Sequence, residues 1–205
     1  IIHGVVEKKS SRLAKLAELG QAADTTLLLM VGSGFRTKGV DRAIEGLAKL
    51  QSTESNKTQL VVVGHGKPDS YQRLARSLGV GDRVHMLGGR ADVPEWMLAA
   101  DLLVHPARNE NTGTVLLEAL ANGLPLLVSD VCGYAFHIER ANAGRLVPSP
   151  FSQTQFNQLL QETVDSAELQ QWSANGLKYA AEEDLYSCHD KACELIEKFV
   201  AAKAR

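Results

Sequence analysis

The sequence predicts an α/β protein built on one parallel, doubly wound sheet of six strands, with helices on both faces and a helical tail. Short apolar runs bounded by Gly or Pro recur six times along the chain. Runs that are apolar at every position belong to strands buried on both faces, as in parallel sheets. Stretches with helical spacing lie between consecutive runs, and this alternation is the pattern of repeated βαβ units.

The elements follow in order. Residues 1–25 are polar and helical over 11–19, with no strand signal stronger than Ile1-Ile2; they are expected as a linker and first helix before a domain over 26–205. Strands are expected at 26–32 (Leu-Leu-Leu-Met-Val closed by Gly32), 60–64, 84–87, 101–105 (closed by Pro106), 124–129 and 144–147. Helices are expected between them at 40–50, 70–78, 94–100, 115–121 and 135–141. Beyond Val147 the alternation stops, and 151–164, 168–183 and 190–202 all read as helices.

Composition narrows the function classes. With 205 residues, 44% hydrophobic and 22% charged, the chain has the makeup of a folded domain and length for a real core. Twenty-two cations against 24 acids give a net charge of −2, which argues against a nucleic-acid partner gripped through its phosphates. Cys132, Cys188 and Cys193 form no close CxxC pair and no zinc-spaced cluster, so no structural metal and a reducing compartment are expected. The longest apolar run is a quarter of a membrane span and no cleavable signal pattern opens the chain, so a cytoplasmic location is expected.

In open parallel sheets ligands bind beyond the carboxyl ends of the strands, near the point where strand order reverses. The first strand ends in Gly32-Ser-Gly-Phe-Arg-Thr-Lys-Gly39, where glycines admit an anion to the backbone and Arg36, Lys38 and a helix start offer positive charge. The run is neither a P-loop nor GxGxxG, and a plain glycine turn with solvated cations remains open. Gly64-His-Gly66 is a weaker signal of the same kind.

The fourth strand ends in His105-Pro-Ala-Arg-Asn-Glu-Asn-Thr-Gly-Thr114, with Val-Leu-Leu-Glu118 on the following helix. Asn111 or Thr112 is expected to cap that helix, leaving the amides of Thr112, Gly113 and Thr114 to receive phosphate oxygens. Glu110 and Glu118, eight residues apart, flank this nest, with Glu118 expected about two turns into the helix and buried or in a cleft. Carboxylates chelate vicinal sugar hydroxyls well. A solvated loop acid with a helix-face acid, or a glycosidase pair, are the other readings of these two residues. His105 reads as a core-edge histidine, His137 as a cleft residue and Cys132 as a small buried filler, while Trp96, Met97 and Trp172 read as packing residues.

Taken in order, residues 32–42, Val-Val-Gly-His-Gly (62–66), Gly-Arg-Ala-Asp-Val (89–93), Ala-Asp-Leu-Leu-Val-His-Pro-Ala (100–107), the E-x7-E of Glu110 and Glu118, and Gly-Leu-Pro-Leu-Leu-Val-Ser (123–129) resemble a known family. They are similar to the C-terminal, donor-binding half of retaining GT-B glycosyltransferases of the sucrose-synthase-like family, over roughly residues 26–200. Lys-Gly-Val-Asp-Arg (38–42), Val-Cys-Gly-Tyr-Ala (131–135), Glu118 and Asp-Leu-Tyr-Ser (184–187) resemble the bacterial lipopolysaccharide core glucosyltransferases within it, which add glucose to inner-core heptose.

The resemblance implies a Rossmann-like fold and a UDP-sugar donor, UDP-glucose in the first instance. Gly34, Arg36, Thr37 and Lys38 would meet the donor diphosphate, with Asn111, Thr112, Gly113 and Thr114 completing the cradle. Glu118 would hold the ribose, the backbone around Arg90 and Val93 would read the base, and Glu110 would contact the hexose as the catalytic-site carboxylate. Cations and helix amides would stabilise the leaving diphosphate, so no metal cofactor is implied. The family pattern has Arg where Thr37 stands, and Arg36 is the expected substitute.

An N-terminal acceptor domain of the same protein is the implied partner, with association at the cytoplasmic face of the inner membrane for the whole enzyme. Without that domain the chain is expected to bind donor but not to transfer sugar. A non-catalytic nucleotide-sugar-binding module and a UDP-sugar epimerase are the alternative functions.

Overall fold

The computed structural model describes residues 2–50, 57–185 and 187–203. Six strands form one sheet: β1 (Thr26–Val31), β2 (Thr58–Val63), β3 (Val84–Gly88), β4 (Leu102–His105), β5 (Leu126–Ser129) and β6 (Gly144–Val147). Their order is β3-β2-β1-β4-β5-β6, and every pairing is parallel. The six expected strands are all present, with ends shifted by no more than two residues. β5 starts at Leu126 because Pro125 has no N–H to give to a ladder; its carbonyl still accepts from Leu103 N at 2.8 Å.

Alternate residues of the central strands feed two separate cores. Leu27 and Leu29 of β1 join one face with Leu103, Leu126 and Val128, whereas Leu28 and Met30 join the other with Leu102, Val104 and Leu127. This two-sided burial is why the strands read as unbroken apolar runs. The first face is covered by α5 (Val93–Ala99), α6 (Thr114–Ala121) and α7 (Ala135–Ala141), the second by α3 (Val40–Lys49), α4 (Asp69–Ser77) and α8 (Gln153–Val164). α3 shows the logic: Val40, Ala43, Ile44 and Leu47 are buried along one stripe, with Asp41, Glu45 and Lys49 turned away. Each large apolar side chain so buried contributes ~1.5–3 kcal/mol.

Three elements differ from expectation. α1 runs Ile2–Glu18, well upstream of the expected start at residue 11; Ile1 lies outside the described residues. It is fixed on the sheet by long polar side chains that leave no apolar period: Arg12 donates to the carbonyls of Ala99 (2.7 Å) and Thr25 (2.6 Å) and to Asp101 (2.9 Å). Leu16, 1% exposed, anchors the same helix against α5. A single helical turn, α2 (Phe35–Lys38), occupies the glycine loop after β1, because Gly34 and Gly39 take left-handed backbone angles on either side of it. A 3₁₀ turn at Gly81–Arg83 precedes β3.

The tail forms α8, α9 (Leu169–Glu182), which packs on α6, and α10 (Cys188–Lys203). The side chain of Cys188, Tyr186 in the Asp184–Ser187 run, and residues 204–205 lie outside the described residues.

Asp101 ties the amino ends of the sheet together. It stands just before β4, accepts the β1 amide of Leu27 at 2.7 Å and pairs with Arg12 of α1. Replacing Arg12 by Met leaves a half-buried carboxylate and two carbonyls without this partner. The expected loss is about 1–3 kcal/mol of stability in urea unfolding, with little change in the slope against denaturant.

Candidate functional site

The sheet order reverses between β1 and β4, and a cavity of about 410 Å³ opens at the carboxyl ends of these two strands. Val31, Gly32, Ser33 and Lys38 line it from the β1 side, and Glu110, Thr112, Gly113, Thr114, Val115 and Glu118 from the β4 side. A larger groove of about 600 Å³ between α3 and α8 is walled by Lys49, Glu162, Asp165 and neutral polar side chains, away from the strand ends.

On the β1 side the chain turns at Gly32, whose φ of 139° suits glycine and whose missing side chain leaves room for Lys38: a Cβ there would stand 3.1 Å from Lys38 Cε. α2 then buries Phe35 edge-on to Tyr71 and brings Lys38 back toward β4. Gly39 lies so close to the β4 end that a Cβ would stand 2.1 Å from the Pro106 carbonyl. Arg108 laces the two loops: its amide donates to the Thr37 carbonyl (2.8 Å), and its guanidinium donates to the Arg36 carbonyl (2.9 Å) and to Asp41 (2.6 Å).

On the β4 side the loop leans on the β5–α7 loop. Gly133 and Tyr134 donate backbone hydrogen bonds to the carbonyls of Glu110 (3.2 Å) and Thr112 (2.9 Å). α6 is capped neither by Asn111 nor by Thr112. Its cap is Gly113, left-handed at φ 84°, with no side-chain hydrogen bond. The first amides of the helix are therefore turned to the cavity, where they and the helix dipole favour an anion. α6 is buried along Val115, Leu116, Leu117, Ala119 and Leu120, and Glu118 is its one charged residue. Because the helix begins at Thr114, Glu118 sits about one turn in rather than two, exposed on the cavity wall rather than buried.

Glu110 pairs with Lys38 across the cavity, and its side chain is only 13% exposed. Burial pushes its carboxyl upward, but the Lys38 hydrogen bond and charge, with His105 beside it, outweigh burial and hold it below the ordinary value. His105, the last residue of β4, is fully buried with its Nε2 3.4 Å from a Glu110 oxygen. Burial first, and the Lys38 charge second, push its ring down to about 4, so it is neutral at pH 7. Burial and the Glu110 charge raise Cys132 to about 12, which makes it an inert thiol.

Of the residues expected at the site, Lys38, Glu110, Thr112, Gly113, Thr114 and Glu118 converge on one cavity. Gly34, Arg36, Thr37 and Asn111 do not line it: Arg36 and Thr37 are exposed, and Asn111 turns its carbonyl toward Gly133. Arg90 and Val93 lie beyond β3. The Arg90 guanidinium is held by Asp92 (2.7 Å) and Glu18 (3.0 Å), and Val93 opens α5. His137 bonds the Tyr179 hydroxyl at 2.7 Å and lies off the cavity wall, while Trp96, Met97, Trp172 and Cys132 are buried as expected. Arg108, Asp41 and the His105–Glu110 contact were not legible beforehand. Only the proximity of His105 to Pro106 and Glu110 in the sequence hinted at the last.

The depressed His105 ring carries a pH signature. The unfolded chain binds this proton near pH 6.5 and the folded chain only near pH 4, so stability falls as pH drops through that window. The expected fall from this ring is roughly 2–3 kcal/mol. Urea midpoints measured from pH 7 to pH 4 should show it, and His105→Phe should flatten the curve. The residual slope belongs in part to His85 and His137, which burial also depresses.

Residues 11–179 match the family described as glycosyl transferases group 1. The lipopolysaccharide glucosyltransferase WaaG of Escherichia coli K12 is 49% identical over 171 residues, which cover 83% of this chain and 46% of that protein. The crystal structure of WaaG, a glycosyltransferase involved in lipopolysaccharide biosynthesis, superposes with a TM-score of 0.86 at 46% identity over 91% of this chain and 50% of that one. Anabaena HepE in complex with UDP-glucose shares the fold at 24% identity, with a TM-score of 0.78 over 92% of this chain and 53% of that one. The chain thus spans about half the length of such relatives, and the Rossmann-like half of a GT-B architecture expected from the sequence is borne out. On the extent of these matches, which take in both loops of the cavity, the chain belongs to the glycosyl transferases group 1 family.

Proposed function

We propose that this chain is the donor-binding half of a retaining bacterial glycosyltransferase that takes UDP-glucose and passes glucose to the inner core of lipopolysaccharide. The observation that carries the reading is the convergence of Lys38, the uncapped start of α6, Glu110 and Glu118 on one cavity at the sheet reversal. The names of two relatives support it: the E. coli protein is a lipopolysaccharide glucosyltransferase, and the Anabaena structure is a complex with UDP-glucose.

The diphosphate sits against the α6 amides, with Lys38 as counter-charge. These preorganised charges meet the negative charge that builds on the leaving group, without a metal ion. Glu118 accepts from the ribose hydroxyls, and the base extends toward residues 88–93. Glu110 accepts from hexose hydroxyls, and its negative charge favours the positive charge developing on the sugar ring. The acceptor hydroxyl attacks from the leaving-group face, so configuration is retained without a protein nucleophile. Acceptor binding belongs to an N-terminal domain of the whole enzyme, working at the cytoplasmic face of the inner membrane. No described helix is long and apolar enough to cross a membrane.

Titration calorimetry with UDP tests the reading. Lys38→Ala should weaken UDP about tenfold or more, the size of one charge-assisted hydrogen bond. Glu118→Ala should weaken UDP by a similar factor and leave inorganic diphosphate untouched. Absence of UDP binding to the folded chain would overturn the assignment. Gly32→Ala, whose added methyl intrudes on Lys38, should follow Lys38→Ala in direction.

A further inference from the structure

His105 is out of place by the ordinary rules of a central strand. Its neighbours on β4 are Leu102, Leu103 and Val104, all aliphatic and buried, yet β4 ends in a fully buried imidazole. Neither ring nitrogen has a hydrogen-bond partner. A buried polar group left this way destabilises the fold, a cost that a valine or leucine at the same place would not incur. The ring is aimed at one polar group, the Glu110 carboxylate, with Nε2 3.4 Å from Oε2.

Glu110 keeps its charge by pairing with Lys38. The same ammonium is the cation that the donor diphosphate requires, so one cation faces two claimants. A diphosphate carries more negative charge than a carboxylate and also engages the α6 amides, so it draws Lys38 toward itself. Glu110 then stands largely shielded from water with its cation shared, and His105 is the other side chain that pairs with Oε2 among the described residues. The ring is already within reach at 3.4 Å, and a small turn of ring or carboxylate aligns the N–H with its acceptor.

We propose, building on the donor-site reading, that His105 is a positioning residue: once donor occupies the cavity, its Nε2–H donates to Glu110 and holds that carboxylate against the hexose hydroxyls. An imidazole suits this task because it is neutral. It orients the carboxylate without the full charge of a second cation, which would quench the acceptor strength that hexose hydroxyls need. The unpaired Nε2 is thereby explained as a donor set beside the carboxylate it serves.

The test compares UDP with UDP-glucose by calorimetry on the chain. His105→Phe keeps the ring volume and removes the donor. UDP affinity should stay within about twofold while UDP-glucose weakens roughly fivefold to tenfold, the worth of one hydrogen bond to a charged group. Glu110→Gln should narrow the same preference, and the double variant should lose no more than the larger single loss, as expected of two residues acting through one contact. His105→Gln, whose side-chain amide N–H overlays the Nε2 position, should recover part of the preference. A folded His105→Phe chain with wild-type affinity for UDP-glucose, or losses that simply multiply in the double variant, would overturn the role.

If His105→Phe does not fold, the wild-type chain decides. The His105 Nε2–H proton signal should move downfield on adding UDP-glucose, and no movement at saturation would refute the proposal. Failure of UDP itself to bind the wild-type chain would instead strike the donor-site reading.

Discussion

A carboxylate shut away from water demands a cation or several donors, because its desolvation costs several kcal/mol. Glu110, with 13% of its side chain exposed, meets that demand through Lys38, and much of the surrounding architecture serves to bring the two together. Lys38 comes from the turn after β1 and Glu110 from the loop after β4, 72 residues later. They meet only because β1 and β4 are neighbours at the centre of the sheet. The left-handed glycines at 34 and 39 coil α2 so that Lys38 points back, and Gly113 turns the chain so that Glu110 lies under the start of α6. Arg108 and Asp41 then fasten the two loops from outside.

The amino ends of the same strands are held with equal care. Asp101 takes the Leu27 amide and Arg12, so the first helix, β1 and β4 are fixed to one another at the end opposite the cavity. The crevice therefore opens between two strands whose far ends share a single carboxylate. Side chains set on such a frame keep their geometry through the frame's rigidity, while the loops at the open end remain free to differ in chemistry.

Much of this was legible in the sequence, for reasons that differ by element. Strands buried on both faces announce themselves as unbroken apolar runs, so all six were found. Lys38 and Glu110 stood out by their places in the loops at strand ends and Glu118 by its place in an apolar helix, and the family resemblance linked the three residues that the structure brings to one cavity. What stayed hidden depends on distance in the chain. The upstream reach of α1 rests on Arg12 contacts with residues 87 and 89 positions away, which leave no local period. The Gly113 cap overrode the usual preference for Asn or Thr because a left-handed turn was needed to seat Glu110. Arg36 was an expected phosphate ligand, yet α2 turns it to solvent, and helical phase within four residues is beyond what composition can tell.

Beside the crevice, the turns that end β1, β2 and β3 meet main chain to main chain. Gly32 donates to the Val63 carbonyl and Gly64 to that of Gly88, and a side chain at Gly64 would stand 2.2 Å from the Gly32 oxygen. At these glycines there is no side chain to exchange. A substitution there can only intrude, so these turns offer no route by which one ligand is traded for another. Divergence is channelled into the walls, above all the β4–α6 loop, where single replacements can redraw what is held without disturbing these turns.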